Sequence, residues 1–396
     1  MNQHEQFERV SKALDNFRIE IPSWGFANTG TRFGKFIQVA AATSVEEKFA
    51  DAAQINSLTG VTPTMALHVE WDLPDGVGSV AEIRALEKKY RIRAGSINPN
   101  LFQAQEYKFG SICNPDAEVR KKALTHLLDC VEIATQLGSQ DISPWVSDGS
   151  NYPGTQNIRQ RIVWMEEIFS TVHSALRPKQ RLLIEYKPFE PAFYHTDIAD
   201  WGMALELARL AGPQAKVLVD TGHHYQAQNI EQIVAWLLHL EMLGGFHLND
   251  RRYADDDLTL GSIDPYQVFR IFHEILSYAA VPSSNPIAIM VDQSHNLKGK
   301  VEAMVQTIAT AQEIFAKAAL VDLEQLETLQ KQCKLVEAEE LFRSAFWEDV
   351  RPLVREWRRN HGLPEEPLRA LAESGYVEQI SRERAAKNAA TSTTYA

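Results

Sequence analysis

The feature that most constrains this chain is an alternation of amphipathic helices with short apolar runs, repeated from about residue 45 to residue 292. A helix over Val45–Leu58 leads to the strand-like Met65–Trp71, and a helix over Val80–Tyr90 leads to Ile92–Ile97. A long helix over Ala117–Leu137, stopped at Gly138, precedes Asp141–Trp145, and one over Ile158–Leu176 precedes the run that starts at Arg181. Helices over Trp201–Ala211, Ile230–Leu240 and Tyr266–Leu276 separate the runs that end near Asp220, His247 and Asp292. With the turn at Ile21 as a first strand, the count is eight. Eight alternating units predict right-handed βαβ connections closed into a (β/α)8 barrel, the TIM-barrel architecture. An open doubly wound sheet is the rival, but no glycine-rich phosphate loop follows the first strand.

On either side of the alternation the pattern changes. Phe7, Val10, Leu14 and Phe17 give an N-terminal amphipathic helix, and Trp24 to Gly34 form a glycine-punctuated aromatic loop that is either a turn of buried aromatics or a pocket wall. After Ala318 the chain reads as helix only, over Leu320–Trp347, Val350–Asn360 and Leu368–Ser374. This divides the chain into a barrel with its leading helix (1–318), a helical extension (319–384) and a small, polar, disordered tail (385–396).

Composition narrows the function classes. A net charge of -12 disfavours a nucleic-acid or anionic-membrane surface, since both need clustered Lys and Arg. The odd cysteine count, Cys113, Cys130 and Cys333, offers neither a disulfide framework nor a metal-type pair, and fits a reducing compartment. With no apolar signal core at the N-terminus and no run of about 18 apolar residues, the expected location is the cytoplasm.

In a closed barrel the chemistry sits at the C-terminal ends of the strands. Charge gathers at those ends here. Glu185 and Lys187 are two apart, so they face the same side; taken alone, the pair is also what an internal salt bridge looks like. Asp220 ends an apolar run, and a helix start after it would return His223 to the carboxylate's side, leaving His224 in a supporting or surface position. His247 stands in an apolar strand, where a lone histidine is commonly a core residue. The run Asp255-Asp256-Asp257 that follows is commonly a solvated face, but if extended it projects Asp255 and Asp257 together. Asp292 closes the last strand as a charge that needs a partner or a metal. Carboxylates with imidazoles and no thiolate suit Mn²⁺ or Mg²⁺, with Co²⁺ or Zn²⁺ accommodated, and two such ions would neutralise most of this cluster.

In this order, Glu185-x-Lys187-Pro, Asp220-x-x-His223, His247, Asp255-x-Asp257 and Asp292 resemble the two-metal aldose isomerases of the xylose-isomerase-like barrel superfamily. The closer resemblance is to the bacterial L-rhamnose isomerase family, through Ile21–Phe33 and Phe246–Ile263, and it covers residues 1 to 350. It implies one metal held by Glu185, Asp220, His247 and Asp292, and a catalytic metal held by the shared Asp220 with His223, Asp255 and Asp257. It also implies Lys187 as the group that polarises the sugar carbonyl, with Asp292 or a metal-bound water moving the O2 proton. His68 resembles a ring-opening histidine and Asp72 its orienting acid, though a core histidine fits equally. Trp24, Phe102 and Trp145 are candidates for the apolar wall of the sugar site, with His223 and Asp257 also facing the sugar. Phe33 resembles an aromatic that enters a neighbouring subunit's site, which implies a homo-oligomer, specifically a tetramer. The expected substrate is a small aldose or ketose, with L-rhamnose to L-rhamnulose first. A ketose 3-epimerase barrel and a non-catalytic sugar-binding barrel are the alternatives.

Overall fold

The computed structural model describes residues 2–28, 36–190, 194–253, 256–278, 286–295 and 297–390. Eight parallel strands form one sheet: β1 Ile21–Pro22, β2 Thr64–His68, β3 Arg93–Asn98, β4 Asp141–Ile142, β5 Arg181–Glu185, β6 Ala215–Asp220, β7 Leu243–Leu248 and β8 Ala288–Val291. They pair in chain order. Backbone bonds from Glu20 N–H to Ile289 C=O (2.8 Å) and from Val291 N–H to Glu20 C=O (2.9 Å) join the last strand to the first. The expected barrel is thus the observed one.

Strand alternation sorts the interior into layers. At the floor, the half-buried Glu20 carboxylate accepts from Ser96 N–H (2.9 Å) and Oγ (2.7 Å). A Cβ on Gly95 would lie 1.6 Å from Glu20 Oε2, so only glycine leaves room for this carboxylate. Above it, Leu183, Leu218 and Met290 form a small apolar plug inside the sheet, separate from the large core between sheet and helices. Two residues further along the same strands come Glu185, Asp220 and Asp292, and so the plug is the base on which the charged layer rests.

Helix ends follow their local signals. Ser44, Asp116, Asn157, Asp200 and Asn229 cap their helices through side-chain oxygens. Gly138 ends Ala117–Leu137 in the left-handed conformation, as its position in sequence predicts.

Four elements differ from expectation. The second strand stops at His68, because the Asp72 carboxylate accepts from His68 N–H (2.9 Å) and turns Val69–Asp72 into a helical turn. The fourth strand is two residues long, and Trp145 rejoins the sheet only through a bridge to Glu185; the intervening Pro144 has no N–H to offer. In the extension, the run expected as one helix over Leu320–Trp347 is two, Leu323–Lys331 and Leu335–Trp347, with Cys333 between them at φ 55. Residues 385–389, expected to fray, are the end of a helix, Tyr376–Ala389, that buries Arg384 and Asn388.

Candidate metal centre

Four strands deliver one ligand atom each to a single point. Atoms of Glu185, Asp220, His247 and Asp292 all lie within 4.8 Å of one another, at the barrel mouth just above the apolar plug. Strand register explains the convergence: Asp220 pairs with His247 across β6 and β7, and His247 with Met290, two residues before Asp292, across β7 and β8. Atoms bound about 2.1 Å from one ion lie at most about 4.2 Å apart, so a group that spans up to 4.8 Å is close to the size of a cation site. It is also short of protein partners: Asp220 Oδ2 and both ring nitrogens of His247 are buried without a hydrogen bond. Three carboxylates and an imidazole, with no thiolate, suit a hard divalent ion. The residues fit the group that the sequence implies.

The electrostatics give the same reading. His247 Nδ1 stands 3.3 Å from Glu185, 3.6 Å from Asp292 and 3.9 Å from Asp220. Burial alone would depress its pKa, but the charges of Glu185, Asp292 and Asp220 push it up to about 10. Burial works to raise Glu185, yet His247 and His223 hold that carboxyl well below the usual range. Burial raises Asp220. The three carboxylates thus favour positive charge at this point, which a divalent cation would supply.

His223 adjoins this group. A turn, not a helix start, follows Asp220, with His223 N–H on Asp220 C=O at 3.2 Å. The three-residue offset still returns the ring: Nε2 is 3.8 Å from Asp220 Oδ2, and Nδ1 is 3.2 Å from Glu185 Oε1 and 3.1 Å from Tyr186 C=O. Among the described residues, Asp257 is not part of the four-residue group. It lies half-buried at φ 48, and Asp256 folds back onto the Arg252 and Tyr253 N–H groups. Asp255 and Phe33 fall outside the described residues.

Beside the metal group runs a wall of rings. Trp24 meets His68 at 4.7 Å between centroids, His68 meets Phe102 at 5.7 Å, and Phe102 meets Trp145 at 5.0 Å. Lys187 Nζ lies 4.8 Å from the Trp145 ring. Trp24 itself is largely buried, as the turn reading of its loop expects, and its Nε1–H donates to Asp292 Oδ1 at 2.8 Å. Burial lowers the His68 pKa to about 4, which leaves a neutral ring. Asp72 does not orient that ring through a hydrogen bond. Its oxygens take His68 N–H, Ser23 Oγ (2.5 Å) and Lys48 Nζ (2.5 Å), so it fixes the backbone that carries His68.

Sequence reasoning missed several neighbours. Lys187 pairs with Glu190 (2.6 Å), three residues on, where a Glu185 partner was the simpler expectation. Asn249 holds the centre from outside, donating to Asp220 Oδ1 (3.0 Å) and Asp292 C=O (3.2 Å). Trp71 joins the wall, 4.4 Å from His68. His224 is neither exposed nor on the metal side; it is buried against the Tyr186 hydroxyl at 2.7 Å. The i+3 spacing of Lys187 and Glu190 was a readable signal, whereas a neutral asparagine gave none.

Residues 49–277 match the family model described as xylose isomerase-like TIM barrel. The chain is 37% identical over 389 residues to a protein named probable sugar isomerase from Rhizobium meliloti, covering 96% of this chain and 89% of that one. A second probable sugar isomerase, from Mesorhizobium japonicum, is 35% identical over 386 residues with the same coverage, 96% and 89%. Among solved structures, a xylose isomerase domain protein from Alicyclobacillus acidocaldarius superposes with a TM-score of 0.55 at 14% identity, covering 76% of this chain and 99% of that chain, a likeness of fold. On the sequence match along nearly the whole chain, and on the barrel that carries it, this protein belongs to the xylose isomerase-like TIM barrel family, alongside relatives named as probable sugar isomerases.

Proposed function

We propose that the protein is a metal-dependent aldose–ketose isomerase whose preferred substrate is L-rhamnose, with activity on related aldoses. The observation that carries this is the Glu185, Asp220, His247 and Asp292 group set beside a buried lysine and a wall of rings. Mn²⁺ is the proposed ion, and a second ion is assigned to Asp220, His223, Asp255 and Asp257. The proposed assembly is a homotetramer.

When bound, the metal lowers the pKa of the sugar hydroxyls and stabilises negative charge on O1 and O2. The protein's own groups do the rest. His68, neutral at physiological pH, takes the anomeric hydroxyl proton as the ring opens and returns it to the ring oxygen. Lys187 donates a hydrogen bond to O1 of the open chain, drawing charge from C1 as hydrogen moves between C2 and C1. Asp292 accepts the O2 proton; its Oδ1 is held by Trp24, which fixes the carboxylate's orientation. The rings of Trp24, Phe102 and Trp145 cover the apolar edge of the sugar and exclude water.

One observation favours the epimerase alternative: the described residues assemble a single four-ligand group, enough for a one-metal reaction. Product analysis separates the two. Metal-stripped protein is expected to lose turnover and Mn²⁺ to restore it, with L-rhamnose giving a ketose. Conversion of a ketose to its C3 epimer with no aldose interconversion would establish the alternative, and full turnover without metal would overturn both.

A further inference from the structure

We infer that the last helix, Tyr376–Ala389, positions the sugar site, with Asn388 as the residue that transmits its hold; this rests on the isomerase reading above. Residues 36–43 form no helix or strand of their own apart from a bridge between Ala27 and Ala42. Three successive carbonyls of this segment, those of Val39, Ala40 and Ala41, are taken up by that helix. Asn388 Nδ2 donates to Val39 C=O (2.9 Å) and Ala41 C=O (2.9 Å), and Arg384 Nη1 donates to Ala40 C=O (2.7 Å). Asn388 Oδ1 accepts from Asn28 Nδ2 (2.8 Å), so both amide hydrogens and the oxygen are used on one buried side chain.

From there the network reaches the metal centre by two routes. Asn28 and Gln38 bond each other twice, Gln38 N–H to Asn28 Oδ1 (3.0 Å) and Asn28 Nδ2 to Gln38 C=O (3.1 Å). Gln38 Nε2 then donates to His295 C=O (2.9 Å), three residues beyond Asp292. In the other direction Asn28 lies just past Ser23–Phe26, the turn that carries Trp24, and Trp24 donates to Asp292 Oδ1. The circuit closes on the same carboxylate.

Anchoring of the helix falls mainly to other residues, with Arg384 serving both tasks. Arg384 makes a two-pronged bond to the buried Asp51 (2.8 and 2.9 Å), which also accepts from the Tyr376 hydroxyl (2.6 Å). Lys387 pairs with Glu47 at the surface (2.8 Å). Those contacts suffice to dock the helix. A buried amide at its last turn adds nothing to docking that an apolar residue would not, and it is tolerated only because each of its polar atoms is met by the segment flanking the site. Asn388 is therefore a positioning residue acting through Asn28 and Gln38 on Trp24.

The test uses full-length, Mn²⁺-loaded protein. Asn388→Ala is expected to raise the KM for the aldose about 3–10-fold, the range of one or two lost neutral hydrogen bonds, with kcat nearly unchanged. Gln38→Ala, which removes the bond to His295 C=O and leaves the last helix untouched, is expected to raise KM in the same direction, and it carries the test if Asn388→Ala does not fold. Lys387→Ala on the same helix is expected to leave KM alone. Hydrogen exchange at the Gln38 and Ala42 amides is expected to quicken in Asn388→Ala. A variant with lowered Tm but unchanged KM and unchanged exchange at those amides overturns the inference. A wild type that interconverts no aldose overturns the isomerase reading instead, and the exchange result then decides the positioning on its own.

Discussion

At the scale of single residues, the proposed site divides into groups placed to hold a cation and groups proposed to meet a sugar. Lys187 is the clearest case of the second kind. It is not among the four ligands, it is buried, and its ammonium is kept between Glu190 and the Trp145 face. Replacing it by Met keeps the length of the stem and removes the charge. Lys187→Met is expected to bind Mn²⁺ as tightly as wild type while kcat falls about 10²–10³-fold, the loss typical of one donor to a developing oxyanion. Titration of metal binding beside steady-state kinetics checks both halves, and unchanged kcat would remove Lys187 from the carbonyl. For the ligands, Asp220→Asn is expected to do the reverse first: an amide in place of the most buried carboxylate weakens metal binding, seen calorimetrically, with activity recovered only in part at high Mn²⁺.

At the scale of elements, the extension behaves as a brace for the barrel. Leu335–Trp347 lays Phe342 and Phe346 against the barrel helix Pro265–Tyr278, with Phe342 4.9 Å from Phe269 and 4.8 Å from the His273 ring. His273 Nδ1 is buried there without a hydrogen bond, and burial lowers this histidine from 6.5 to about 4. A base with a depressed folded-state pKa resists protonation only when folded. Its contribution to stability is complete above pH 6.5 and is lost as pH falls from 6.5 towards 4. His273→Leu is therefore expected to melt at a Tm that gains on wild type as pH drops through that window, and a difference that stays constant from pH 7 to pH 4 would contradict it. The break at Cys333 is an instance of what a helical pattern hides. Leu320–Trp347 reads as continuous, and one residue at φ 55 turns it into two helices that fold back on each other.

At the scale of the whole molecule, metal binding at the proposed site would be linked to folding, because the four candidate ligands come from β5, β6, β7 and the residue after β8 and converge only in the closed barrel. Mn²⁺ at about 100 times its Kd adds roughly 2.7 kcal/mol to stability. A Tm rise of a few degrees over metal-free protein is expected by calorimetry, and no rise would mean that the group does not hold the ion in the folded state. The sequence by itself determined the alternation, and with it the barrel: eight apolar runs between amphipathic helices leave few other ways to bury both faces of each strand. It also determined which side chains could meet at the metal, since period-two alternation assigns Glu185, Asp220 and Asp292 to the interior and strand ends are marked by where apolar runs stop. Tertiary structure alone decided the partners that come from distant or neutral residues. Asp72 holds the His68 backbone and not its ring, Asn249 steadies Asp220, and Asn388 reaches Asn28 across the chain. An uncharged amide has no periodicity to betray it, and a contact between residues 28 and 388 exists only once the barrel has closed and brought both ends of the chain to the same face.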